Sequence, residues 1–169
     1  IAAIAAIVAG PAPQADALFI PTRGDVLPAI AEQLGAANFN AQRVKPLGLG
    51  QWNEATVFRI PQLQGAWFAA PDPAGFDNFA QRYRQRYNAS PTRIATLAYD
   101  ATSLTVALVR TQGARRFSDE VLTNPSGFGG ADGVFRFRQD GLSERALAVN
   151  EIRGGQVVVV SPAPKSFGG

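Results

Sequence analysis

The chain contains no cysteine, no histidine and no methionine. Without cysteine there is no disulfide, no thiol nucleophile and no thiolate metal site. Without histidine there is no imidazole base, no histidine-containing catalytic triad and no mixed histidine–cysteine zinc centre. Charge is sparse as well, at 17% of residues against 46% hydrophobic, a balance that excludes disorder and predicts a globular chain. Long hydrophobic runs are lacking too. The apolar opening, residues 1–9, is too short to span a bilayer and has no basic leader, so it reads neither as a membrane helix nor as a signal peptide. With no methionine there is no initiator residue, and the opening residues read as the end of a helix. The expectation is the C-terminal part of a larger αβ protein, with any targeting segment upstream.

What is present begins with 169 residues, enough for one domain or lobe, and a formal net charge of +3. The arginines are scattered: Arg82, Arg84 and Arg86, then Arg115 and Arg116, then Arg136 and Arg138. A nucleic-acid surface concentrates basic residues and interleaves exposed aromatics. These arginines read instead as solvated faces, and no nucleic-acid partner is expected.

Asp16–Ile20 is bounded by turn residues on both sides and predicts a buried parallel strand. Asp25 is placed to cap a helix carrying Val26, Leu27, Ile30, Ala31 and Leu34 on one face, with Pro28 in its first turn. Val44–Leu49 and Gly65–Ala70 predict two further strands, with a short irregular helical piece between them. Strand, helix, strand, helix, strand is the rhythm of a parallel sheet with crossovers. The middle is helical. Phe76, Phe79, Tyr83 and Tyr87 form one stripe, expected in the core, and Ser90-Pro91-Thr92 ends it. A second helix presents Ile94, Leu97, Ala98, Ala101, Leu104, Thr105 and Leu108, and Phe117–Leu122 makes a short third. Towards the end the period changes to two. Val134–Arg138 alternates, Gln139-Asp140-Gly141 turns, and Ala146–Arg153 with Gln156–Val160 predicts a hairpin about Gly154-Gly155. The tail 162–169 is expected to fray.

Three stretches in this order resemble the type I periplasmic-binding-protein superfamily, in its leucine/isoleucine/valine-binding branch. They are Ala15–Ile20 with its helix and the Gly48-Leu49-Gly50 strand end; Gly65–Pro71 followed by Phe76, Phe79, Tyr83 and Tyr99-Asp100-Ala101; and Gly133–Arg138 with Asp140-Gly141 and the closing hairpin. Within that superfamily the chain is similar to penicillin-binding protein activators and to importer substrate-binding proteins. The resemblance implies an α/β fold of two lobes with a ligand cleft between them. Residues 1–72 would supply αβ units of the second lobe. Residues 73–125 would be helices crossing toward a missing first lobe, 126–161 returning strands, and 162–169 a tail. The stripe from Ile94 to Leu108 would then lack its native partner, and self-association is expected of it.

Ligands of open parallel sheets bind beyond the carboxyl ends of the strands. That singles out Thr22 and Arg23 after the first strand, as donors to a polar or anionic group, and Gln51 and Trp52 after the second. Trp52 has two readings, stacking on an apolar ligand or closing over the core. Tyr99 and Asp100 have two as well, an interlobe or hinge contact, or a polar helix position bonded to a nearby loop. In amino-acid-binding members of the resembled branch, a carboxylate after the second of these strands holds the ligand ammonium. Here Gly50 or Gln51 stands there, and Glu54 is displaced along the chain. A cation buried without a paired carboxylate is poorly stabilised, so this departure favours the activator-type reading.

Gly48-x-Gly50 lacks the third glycine of a dinucleotide loop. The acids fall in turns and near helix starts, where their charge is structurally favoured. No catalytic residue, metal site or cofactor is therefore expected. The reading is a periplasmic solute-binding protein whose partners are a small molecule and a membrane transporter or sensor. The alternative is a lipoprotein-type activator of a peptidoglycan synthase.

Overall fold

The computed structural model describes residues 2–167. In chain order the elements are α1 (Ala2–Val8), β1 (Ala17–Phe19), α2 (Leu27–Ala36), β2 (Lys45–Gly48), α3 (Ala55–Phe58) and β3 (Trp67–Ala70). Next come α4 (Pro73–Tyr87), α5 (Ala95–Thr111) and α6 (Asp119–Leu122), and then β4 (Phe128–Gly130), β5 (Gly133–Phe137), β6 (Ser143–Arg145), β7 (Ala148–Arg153) and β8 (Gln156–Ser161). Single 3₁₀ turns sit at Gly50–Trp52, Pro61–Leu63 and Gly113–Arg115. The chain forms two compact units, residues 1–70 with 148–161, and 71–147 with 162–169.

The first unit is built on a five-stranded sheet in the order β1-β2-β3-β7-β8. β1, β2 and β3 run parallel, while at one side β7 pairs antiparallel to β3 and β8 antiparallel to β7. The predicted crossover rhythm is thus present. β1, however, lies at the sheet edge, and Phe19 is 56% exposed, so the strand is parallel without being buried as expected. The core holds Leu27, Ala31 and Leu34 of α2 together with Val44, Trp52, Val57, Leu63, Phe68 and Ile152. Leu27, Ala31 and Leu34 recur every three or four residues, which turns one face of α2 to the sheet. α2 is not capped by Asp25. Its N-cap is Val26, in the αR region, where a side chain cannot fold back onto the first free amides as a cap in extended geometry does. Gly154 and Gly155 both adopt positive φ in the two-residue turn between β7 and β8, the conformation of a type I′ hairpin.

The second unit has a three-stranded antiparallel sheet, β4-β5-β6, and the helices α4, α5 and α6. Asp72 caps α4 by accepting the Ala74 amide at 2.9 Å, and Asn88 ends it in the left-handed conformation. The aromatic stripe of α4 packs ring to ring, at 5.9 Å for Phe79–Tyr83 and 4.7 Å for Tyr83–Tyr87. Only Phe79 of the four is buried, so the stripe is not the core expected of it. On α5 the predicted apolar face is mostly solvent-exposed. Of that face Leu108 is buried, and the other buried positions of the helix are the polar Thr96 and Asp100. The tail up to Phe167 packs rather than frays, with the Arg136 guanidinium over the Phe167 ring at 4.6 Å; Gly168 and Gly169 lie outside the described residues.

Candidate functional site

Because β1, β2 and β3 are parallel and adjacent, the loops that follow them leave from the same edge of the sheet. Pairing continues just past β1, where the Ile20 amide donates to Leu47 O at 2.8 Å. The loop after it runs through Thr22 and Arg23 and turns at Gly24, Asp25 and Val26, closed by the Val26 amide donating to Arg23 O at 3.2 Å. The loop after β2 closes into the 3₁₀ turn Gly50–Trp52. Gly50 lies close to the end of β3, where a Cβ would come within 3.1 Å of Ala69 O.

Trp52 ties the two loops together. Its indole N–H donates to Thr22 O at 3.2 Å, and its side chain is fully buried. The ring lies flat against Gly48, where a Cβ would approach it to 2.2 Å. Of the two readings open in the sequence, this places Trp52 in the core, with no ring face offered to a ligand. Arg23 and Asp25 form an exposed ion pair, with Nη2–Oδ2 at 2.5 Å. The hydrogen bond from Arg23 holds the Asp25 carboxyl below the usual carboxylate range, and the same bond raises the Arg23 guanidinium. An anion arriving at Arg23 therefore competes with Asp25 for its donors. Gln51 is exposed and Thr22 half-buried, and among the described residues neither side chain has a hydrogen-bond partner.

Glu54 completes this rim. A Cβ at Gly24 would stand 3.0 Å from Glu54 Oε2 and 3.0 Å from Val57 Cγ2, so the bare glycine lets the carboxylate lie against the first loop. Sequence spacing marks Glu54 as displaced from the position of an ammonium-binding carboxylate. The fold returns it to the rim. In the structure Gly24 is a buried small residue between two charged ones, and its position beside Glu54 is what sequence spacing did not show.

Tyr99 and Asp100 belong to the second unit. Tyr99 packs its ring at a 55° tilt against Phe79, 5.2 Å between ring centres, and accepts a hydrogen bond from Arg82 at 3.2 Å. Asp100 is buried. It accepts the Ala131 amide at 2.6 Å and pairs with Arg145 at 3.2 Å, so it fastens α5 to the turn between β4 and β5. Gly130 is required beside it, since a Cβ there would fall 2.4 Å from Asp100 Oδ2. A second buried acid, Asp132, pairs with Arg93 at 2.6 Å and accepts the Thr96 hydroxyl at 2.5 Å. No pattern in the sequence announced that group. α4 and α5 also border an apolar groove of about 560 Å³ lined by Phe79, Tyr83, Tyr87, Ala98 and Tyr99, with Arg82 at its wall. Among the described residues, no three acidic side chains gather as a metal site and no helix is long and apolar enough to cross a membrane.

No family model matches the chain, and no curated protein does. Solved structures do match. A candidate branched-chain amino acid ABC transporter from Rhodospirillum rubrum aligns with a TM-score of 0.71 at 20% identity, over 86% of this chain and 44% of that one. The chain has the fold of part of a type I periplasmic binding protein. A solute-binding protein of an ABC transporter from R. palustris, solved with benzoate, aligns over 96% of this chain and 46% of its own, with a TM-score of 0.58 at 18% identity. LpoA of Haemophilus influenzae aligns with a TM-score of 0.54 at 13% identity, over 86% of this chain and 26% of its own. The chain thus spans less than half the length of each of these proteins.

Proposed function

We propose that the chain is part of an extracytoplasmic solute-binding protein of the ABC-importer or sensor type. It binds a small molecule in an interlobe cleft and performs no chemistry. The observation that supports this most is the polar rim at the carboxyl ends of β1 and β2, with Thr22 and Arg23 on one loop and Gln51 and Glu54 on the next, the two loops joined by Trp52 against Thr22 and by Glu54 against Gly24. Thr22 and Gln51 supply uncommitted hydrogen-bonding groups, Glu54 a carboxylate for a cationic group, and Arg23 a guanidinium once Asp25 yields it. In this reading residues 1–72 are αβ units of the second lobe, 73–125 helices directed toward the first lobe, and 126–161 strands returning from it. Closure of the lobes over solute is the signal passed to a membrane transporter or sensor in the periplasm.

The second reading is a lipoprotein-type activator of a peptidoglycan synthase, acting by protein contact. The absence of a carboxylate at Gly50 and Gln51 favours it. The placement of Glu54 against Gly24 weighs the other way, because it restores an acid to the rim.

The deciding experiment is intact mass spectrometry of the full-length protein before and after release into denaturant, with thermal shifts against amino acids and aromatic carboxylates. Solute binding predicts a co-released molecule or a raised Tm, and about tenfold weaker binding of a cationic solute in Glu54→Gln. An empty protein that no solute stabilises, and that forms a complex with a synthase ectodomain, would establish the second reading.

A further inference from the structure

β8 is the outer strand of the five-stranded sheet, and among the described residues only β7 pairs with it. Its sequence, Gln-Val-Val-Val-Val-Ser, contains no charge and no proline. Natural edge strands are usually protected by being very short, or by charged residues, proline or a covering element. The opposite edge, β1, is three residues long. β8 has six, and Val158, Val159 and Val160 are 37%, 38% and 39% exposed, so successive side chains are open on both faces of the sheet.

The hairpin geometry shows which backbone groups face outward. With a two-residue type I′ turn, the flanking pair Arg153 and Gln156 exchanges hydrogen bonds, and pairs then alternate along the ladder. Val158 therefore bonds to β7, opposite Glu151. Val157 and Val159 direct their N–H and C=O groups to the open side.

We propose that a second copy of this chain occupies that edge, with β8 pairing antiparallel to β8 about a two-fold axis to join two five-stranded sheets. The strand is self-complementary. Centred on Val158, the pairing sets Val157 of one copy opposite Val159 of the other, and Gln156 opposite Val160. No charge faces a like charge anywhere along the ladder, and β-branched residues pair across it. Pro162 bounds the pairable stretch on one side and the Gly154-Gly155 turn on the other, and because the two-fold contact uses the same edge of both copies it closes at a dimer. An edge of this length predicts a Kd in the micromolar range.

Sedimentation equilibrium with amide hydrogen exchange, across concentrations spanning that range, tests the pairing. The expected result is a monomer–dimer equilibrium in which the Val157 and Val159 amides slow as concentration rises, while Val158 is slow throughout. Val159→Lys weakens the dimer at least about tenfold. Val159→Pro abolishes it, since it removes an outward N–H that β7 does not use. Trp52 fluorescence checks that each variant is folded, and if the proline variant is not, Val159→Lys and the exchange rates decide. Leu97→Glu, on the exposed face of α5, leaves the dimer unchanged. A monomer at every concentration, or Val157 and Val159 amides indifferent to concentration, would overturn the proposal. So would a dimer lost in Leu97→Glu and kept in Val159→Lys, or protection of β8 only by a peptide of another protein.

Discussion

The first unit hides large apolar side chains, while the second hides charge. Trp52, Leu27, Leu34, Leu63, Phe68 and Ile152 are at most 2% exposed and fill one continuous core between α2 and the sheet. The second unit buries few apolar groups, among them Phe79, Leu108 and Phe135. It also buries Asp100 and Asp132, each held by an arginine and by a further hydrogen bond. Apolar burial is tolerant of direction, whereas a buried acid is stable only with its partners in place. The two units should therefore fail for different reasons. They also carry separate reporters, since both tryptophans lie in the first and all three tyrosines in the second.

The sharpest way to break this comparison is Asp100→Ala. It leaves the Arg145 guanidinium and the Ala131 amide without their partner, at a cost of about 3–5 kcal/mol. Urea unfolding followed by tyrosine absorbance should shift strongly, and tryptophan emission less. Equal shifts in both signals would erase the distinction between the units. Leu63→Ala is the converse. It opens a cavity at a fully buried position of the first unit and should cost about 3 kcal/mol, moving the tryptophan signal first.

The smallest effect is that of acid. Glu144 is held below its usual range by hydrogen bonds from Arg136 and Arg138, and Glu151 by the Trp67 indole and then by Arg153. A lowered folded-state pKa stabilises above the ordinary glutamate range and loses that contribution as pH falls through the lowered value. Both units should thus weaken modestly in acid. Because the Trp67 indole donates to Glu151 at 2.8 Å, its emission should titrate with a midpoint below that of a free glutamate. A midpoint at or above the free value would remove the bond from the account.

The strands β1, β2, β3, β5, β7 and β8 were legible in the sequence, because apolar runs or period-two alternation mark them. β4 and β6 were not. Phe-Gly-Gly and Ser-Glu-Arg show neither signal, and each is a strand only because β5 lies beside it. The Asp25 cap failed for a local reason, since that carboxylate is taken by Arg23, two residues earlier. At the rim, the turn positions Thr22, Arg23 and Gln51 could be read from the strand ends. The burial of Trp52 depends on the missing side chain of Gly48, and the approach of Glu54 on that of Gly24. A residue's absence of bulk becomes a signal only once it is known what lies across from it.

The break in the first unit also sets an order of events during synthesis. β3 finds its antiparallel neighbour in β7, and the paired Trp67 and Glu151 are 84 residues apart. A ribosome adding about 5–20 residues per second leaves the open side of β3 waiting for about 4–17 seconds before its neighbour emerges. Hairpins form in microseconds, so the nascent sheet has ample time to sample wrong pairings. The second unit is synthesised almost entirely during that wait. The unit that holds the continuous apolar core is thus the one whose completion the chain postpones.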